Sequence, residues 1–138
     1  MDNEIILLAD PKGKAWDFTK NVYEKIKELE EPLPFECKRH YSLGEVEIKK
    51  FADGEIYSRI CKSVRGNTCF YFHDSSLDPQ DWFVSLLFTN DALIRSDAEK
   101  VTDVLPYMKY GRQDRMANAR APISSRVVAR AIESSMIK

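Results

Sequence analysis

The sequence predicts an α/β fold: a mainly parallel sheet flanked by helices, with an antiparallel hairpin attached. Three observations carry this. Short apolar runs at 5–8, 68–72 and 101–107 are separated by segments of helical periodicity, the alternation that builds parallel sheets. Residues 45–60 alternate polar and apolar around an Asp-Gly pair, the pattern of a hairpin. Thr68-Cys69-Phe70-Tyr71-Phe72 is β-rich without alternation, as expected of a parallel strand covered on both faces.

Taken in order, Ile5 to Leu8 is an aliphatic run closed by the turn residues Asp10-Pro11-Lys12-Gly13, and reads as a buried first strand. From Ala15 to Leu29, the residues Ala15, Phe18, Val22, Ile26 and Leu29 recur at three to four positions and form one face of an amphipathic helix. Pro32 and Pro34 end it. Glu45 to Phe51 reads as a half-exposed strand, Ala52-Asp53-Gly54 as a turn, and Glu55 to Ile60 as the partner strand. Arg65-Gly66-Asn67 turns the chain into the run at 68–72. Asp78-Pro79 opens a long helix, with Pro79 in its first turn. Val84, Leu87, Phe88 and Asp91 fall along one face of it, and Trp82, Leu86 and Leu93 widen the stripe. Val101 to Tyr107 is a further strand, and Pro106 places its end at the rim of the sheet. Pro122 begins a last helix, with Ile123, Val127, Val128, Ala131 and Ile132 on its buried side.

The 138 residues make one domain. With 43% hydrophobic and 31% charged residues, the chain can bury a core and is not of the disordered class. Lys and Arg total 21 against 22 Asp and Glu, a balance that argues against a mainly electrostatic nucleic-acid binder. No apolar run spans a bilayer, and the acidic Met1-Asp2-Asn3-Glu4 does not read as a signal peptide. Cys37, Cys61 and Cys69 form no Cys-x-x-Cys pair, so free thiols in the cytoplasm are expected.

Chemistry has few local signatures. Gly-x-Gly-x-x-Gly and Walker-type loops are missing, and His40 and His73 have no Cys or His at metal-ligand spacing. His73, at the end of a predicted strand, reads as structural. The charge distribution is more informative. Lys109, Arg112, Arg115, Arg120, Arg126 and Arg130 share their segment with one acid, Asp114. Several of these arginines follow a strand at the carboxyl edge, where ligands of α/β sheets bind, and guanidinium forks suit phosphate oxygens. A polyphosphate ligand and a merely solvated basic loop both fit. The turn Phe51-Ala52-Asp53-Gly54-Glu55 is a second candidate: an aromatic can stack on a flat base, and carboxylates can accept from an exocyclic amine. Asp-Gly is also what a hairpin turn needs.

Several segments together resemble the ribose-phosphate pyrophosphokinase (phosphoribosyl pyrophosphate synthetase) family. They are Phe51-Ala52-Asp53-Gly54-Glu55, Ser63-Val64-Arg65-Gly66, Asp91-Ala92-Leu93, Pro106-Tyr107, Tyr110-Gly111-Arg112-Gln113-Asp114-Arg115 and Arg120-Ala121-Pro122-Ile123-Ser124. The resemblance runs from about Glu47 to Ile132. It implies a type I phosphoribosyltransferase-like domain of an enzyme that transfers diphosphate from ATP to ribose 5-phosphate with Mg²⁺. The products are phosphoribosyl pyrophosphate and AMP. It also implies a homo-oligomer, commonly a hexamer. By this resemblance Phe51, Asp53 and Glu55 hold the adenine of ATP bound mainly by a neighbouring subunit, and Arg112, Gln113 and Asp114 serve the ATP site of their own subunit. Tyr110 to about Ser124 resembles the family's flexible regulatory loop.

The family's Asp-Leu-His metal-binding stretch, its catalytic-loop Lys and Arg, and its acidic ribose 5-phosphate loop have no counterpart in these 138 residues. The chain therefore resembles the N-terminal domain alone, without the C-terminal catalytic one. It is expected to be inactive by itself and to expose apolar surface. A stand-alone non-catalytic partner that joins and modulates full-length subunits is the alternative, and a nucleotide sensor on the same fold is a third reading.

Overall fold

The aliphatic run near the N-terminus becomes the middle strand of the molecule. In the computed structural model, which describes residues 3–138, β1 (Ile5–Ala9) lies between β2 (Tyr41–Lys50) and β4 (Thr68–Phe72) and is parallel to both. Met1 and Asp2, half of the acidic tetrapeptide, lie outside the described residues. The five-stranded sheet has the order β3-β2-β1-β4-β5, with β3 (Ile56–Ile60) antiparallel to β2 and β5 (Lys100–Val104) parallel to β4. This is the mainly parallel sheet with an attached hairpin that the sequence predicts. Among the described residues no helix is long and apolar enough to cross a membrane.

Two apolar clusters cover the faces of the sheet. Leu7, Ala9 and Phe72 meet Trp16, Val22, Tyr23 and Ile26 of α1 (Ala15–Glu30) on one face. On the other, Ile6, Leu8, Val46, Cys69 and Tyr71 meet Trp82, Leu86 and Leu93 of α2 (Pro79–Arg95) and Val128 of α3 (Ser124–Ser135). Alternate residues of β1 and β4 thus enter opposite layers, which is why neither strand shows polar alternation.

The long strand β2 serves two neighbours in turn. Tyr41 to Glu45 pair with β1 in parallel, and Val46 to Lys50 pair with β3 in antiparallel. The sequence reading began this strand at Glu45 and missed its first half. Gly44 explains the omission, because a strand pattern is weakened by glycine. Glycine is needed there, since a Cβ at 44 would stand 2.5 Å from Leu8 Cδ2.

Several expected faces and ends are corrected. Phe18 and Leu29 of α1 are exposed, and Thr19 is the buried residue, its hydroxyl donating to the Ala15 carbonyl. On α2 the buried stripe is Trp82, Ser85, Leu86, Thr89, Asn90 and Leu93, whereas Phe88 is 48% exposed. Val127 of α3, expected inside, is 58% exposed. A 3-10 turn at Phe35–Cys37 was not expected. β5 ends at Val104 rather than Tyr107, ahead of Pro106, and α3 begins at Ser124 rather than Pro122. Beyond β5, Pro106 has no N–H to continue the ladder, and before α3 the backbone at Ile123 (φ −102°, ψ 88°) is not yet helical.

A chain of polar groups ties the α2 layer to the sheet. His73 is fully buried one residue past β4. Its Nε2–H donates to the Trp82 carbonyl at 2.8 Å, which leaves Nδ1 to accept from the Tyr71 hydroxyl at 2.7 Å. Burial pushes His73 down to about 4 despite the bond to Trp82, so it is neutral near pH 7. Beside them, Ser58 of β3 and Thr89 of α2 share a hydrogen bond at 2.7 Å. The histidine is structural.

Candidate functional site

The first candidate, the turn between β2 and β3, is built by local chemistry. The Phe51 N–H donates to the Glu55 carbonyl, the Gly54 N–H to the Phe51 carbonyl, and the Glu55 N–H to Asp53 Oδ1 at 3.0 Å. Gly54 takes φ of 93°, a value that glycine adopts without a Cβ penalty. This arrangement leaves the Phe51 ring at the tip, 54% exposed and 6.3 Å from the Tyr57 ring at a tilt. The Glu55 carboxylate and the second oxygen of Asp53 have no partner among the described residues. Just before the turn, Lys50 reaches Asp81 in the first turn of α2 at 2.8 Å and braces the hairpin against that helix.

The second candidate is the loop that follows β5. Leu105, Met108 and Tyr110 pack onto the core, and the Tyr110 ring meets Phe83 of α2 edge-on at 6.4 Å. Tyr110 holds φ of 65°, a left-handed conformation that packing must enforce in a non-glycine residue. The chain is then pinned twice: the Gln113 N–H donates to the Tyr110 carbonyl, and the Ser125 N–H, in the first turn of α3, donates to the Gln113 carbonyl. Arg112, Gln113 and Asp114 therefore sit at the base of an excursion, and Arg115 and Arg120 lie on it. Residues 111–120 are exposed throughout.

The electrostatics of this loop differ from the rest of the surface. Ten of the other fifteen Lys and Arg residues have an ion-pair partner. Lys109, Arg112, Arg115, Arg120, Arg126 and Arg130 have none among the described residues; Lys109 lies over the Tyr107 ring instead. Their charge has no ion-pair partner among the described residues, the condition for attracting a polyanion.

The structure brings each candidate together internally and keeps the two apart. Asp81, which holds the hairpin, and Phe83, which holds the loop, are two residues apart on α2 and so point to opposite sides of it. The N-terminal part of α2 stands between the candidates, and no hydrogen bond or ion pair joins them among the described residues. The 51–55 turn and the basic residues of the loop line no part of a cavity of about 340 Å³ at the carboxyl edge of β4, walled by Lys14, Phe18, Phe72, Asp74, Ser76 and, from the start of that loop, Pro106. The sequence reading missed that cavity. Asp74 builds it by accepting from the Lys14 N–H and from both the N–H and hydroxyl of Ser76; the Asp-Ser-Ser triplet after a strand was the available signal. Among the described residues no group of three or more His, Cys, Asp or Glu could hold a metal ion.

The profile of the family described as the N-terminal domain of ribose phosphate pyrophosphokinase matches residues 15–135. The ribose-phosphate pyrophosphokinase of Agrobacterium fabrum is 44% identical over 90 residues, 65% of this chain and 29% of that protein. That of Campylobacter jejuni is 41% identical over 95 residues, 69% of this chain and 31% of that protein. A crystal structure of phosphoribosylpyrophosphate synthetase from Mycobacterium smegmatis superposes with a TM-score of 0.74 at 27% identity, over 96% of this chain and 40% of that chain. Hypoxanthine-guanine phosphoribosyl transferase of L. donovani, at 13% identity and a TM-score of 0.55 over 75% of this chain and 53% of that one, shares the fold alone. The chain thus spans less than a third of the length of these curated relatives.

Proposed function

The chain belongs to the family of N-terminal domains of ribose phosphate pyrophosphokinase, and we propose that it supplies two partial ATP-binding surfaces to different active sites of an oligomer. The reaction served is transfer of diphosphate from ATP to the anomeric hydroxyl of ribose 5-phosphate. Phe51 stacks on adenine, and Asp53 and Glu55 accept from its exocyclic amine. Arg112, Gln113 and Asp114 meet the nucleotide of their own subunit, where the guanidinium draws phosphate oxygens. The observation that carries this reading is the pair of half-sites held on opposite sides of α2: an exposed aromatic with free carboxylates, and a set of unpaired cations. Neither is walled by its own chain, so each is completed by a neighbouring copy. Phe51 and Tyr57 on the hairpin and Phe88 on α2 offer apolar surface to that contact.

Mg²⁺ enters this reading bound to the phosphates of ATP. The described residues do not form a cage for it, and the share of the chain in the reaction is to bind and orient the nucleotide. The acceptor pocket for ribose 5-phosphate lies outside this reading, so the 138-residue chain alone is expected to release no AMP from ATP and ribose 5-phosphate.

Calorimetry of Mg-ATP binding across a protein concentration series tests the proposal. Binding that strengthens with concentration and weakens in Phe51→Ala is expected. Loss of one stacked base is worth about 1–3 kcal/mol, or roughly 5- to 150-fold in Kd. Equal binding by Phe51→Ala would refute the adenine assignment, and binding independent of concentration would refute the shared site.

A further inference from the structure

Asp103 sits on β5 in register with Tyr71 of β4 and faces α2 and α3. Its Oδ2 accepts from Asn90 Nδ2 at 2.9 Å. The same Nδ2 is 3.3 Å from Ser135 Oγ, in the last turn of α3, and the Ser135 hydroxyl donates onward to the Ile132 carbonyl. The remaining oxygens of this pair, Asp103 Oδ1 and Asn90 Oδ1, are both buried without a partner. The third buried orphan, Trp82 Nε1, lies eight residues away along α2, about 12 Å by helical rise, and serves neither.

Two orphaned acceptors on two side chains that already share a hydrogen bond are one proton short. With a hydrogen on Oδ1, Asp103 would donate to Asn90 Oδ1 while accepting from Asn90 Nδ2, and a cyclic acid–amide pair would satisfy both orphans. The surroundings favour that form. Asn90 is fully buried. Tyr71 faces Asp103 from β4 as a neutral phenol that donates to His73, and His73 is uncharged with both nitrogens engaged. From α3 the facing group is the Ser135 hydroxyl. No lysine or arginine pairs with Asp103 among the described residues, so the Asn90 N–H alone favours the anion, against burial.

We propose that Asp103 and Asn90 form a protonated acid–amide latch, and that loss of its proton releases the end of α3 from α2 and β5. Burial pushes the Asp103 carboxyl up to about 6, against the opposing effect of the Asn90 bond. The latch is closed in weakly acidic solution and open above neutrality. When it opens, two anionic or carbonyl oxygens face each other, Asn90 turns away, and Ser135 loses its partner. Gln113 is bonded to the other end of α3, so the basic loop shares the helix that the latch secures.

The sign follows from linkage. An ordinary Asp ionises near 3.8, so between about pH 4 and pH 6 the folded chain keeps a proton that the unfolded chain has lost. The contribution of this group is full below that range and declines as the pH rises through it.

Asp103→Asn tests the latch, because an amide donates at that position at every pH. Urea unfolding of the wild-type chain and of Asp103→Asn is compared from pH 4 to pH 7. The ratio of their folding constants is expected to shift about a hundredfold towards the variant. A ¹³C titration of the wild-type carboxyl is expected near pH 6, with faster amide exchange in the last turn of α3 above it. A carboxyl that titrates at or below pH 4, as an ionised pair bridged by water or a cation would, overturns the proposal. Parallel stability profiles overturn it equally. If Asp103→Asn does not fold, the wild-type titration and exchange decide alone.

Discussion

Replacing Gly44 with alanine measures how closely β1 and β2 must approach for the hairpin to be aimed. Gly44 stands opposite Leu8 in the parallel ladder. An added Cβ would lie 2.5 Å from Leu8 Cδ2 and 3.1 Å from Ile6 Cγ2. Ordinary carbon contacts are about 3.5–4.0 Å, so the methyl has to displace Leu8 by about 1 Å. Leu8 and Ile6 are both fully buried, and a close-packed interior offers them no space to enter. Relief comes from a strained rotamer or from parting the strands, at about 1–3 kcal/mol. For a chain of this length each kcal/mol moves Tm by about 3–5 °C. A fall of about 3–15 °C is expected by circular dichroism, with the urea m-value unchanged. A Tm equal to that of the wild type would refute the reasoning, since it would mean that β1 and β2 separate at no cost.

Other expectations rest on single groups. His73→Phe strands the Tyr71 hydroxyl and takes one of its donors from the Trp82 carbonyl, and urea unfolding should show a loss of about 1–3 kcal/mol. Burial opposes ionisation of Asp74, but the bonds from Ser76 and the Lys14 N–H outweigh it and hold the carboxyl below its ordinary value. Its contribution is therefore present above pH 4 and lost as the pH falls through the folded value. Wild-type stability should drop more steeply below pH 4 than that of Asp74→Asn. Cys37 and Cys61 are exposed, while burial pushes the Cys69 thiol up to about 11. A chromogenic disulfide reagent should label two thiols in the native chain and the third only on unfolding.

How much of this was legible in the sequence depends on how local each feature is. The turn at 51–55 and the cationic loop were legible because turn chemistry and net charge belong to neighbouring residues. The stripe of α2 was misread for the opposite reason. Ser85, Thr89 and the Asn90 amide nitrogen are buried against distant or backbone partners: the Asp81 carbonyl, Ser58 on β3, and Asp103 on β5. A hydrophobicity pattern has no access to those partners, so it favoured Phe88, which points outward. The first half of β2 was hidden by Gly44, a residue chosen for the closeness of another strand. That the two candidate sites flank α2 depends on where Lys50 and Tyr110 land, which is tertiary information. The cavity beside Asp74 was overlooked because its walls come from the segments after three different strands.

The central place of β1 has a consequence for how the chain is made. This strand emerges first, yet one of its two neighbours is β4, whose residues pair with it 63 positions later. At about 5–20 residues per second, the ribosome needs roughly 3–13 s to deliver that neighbour. Throughout the interval the run Ile5–Ala9, with four of its five residues destined for full burial, has one ladder edge open. The pairing with β2 becomes possible some thirty residues earlier, so the β1–α1–β2 unit can shelter the nascent strand first. Substitutions that weaken this unit should reduce the soluble yield from cells more than their effect on the stability of the finished protein suggests.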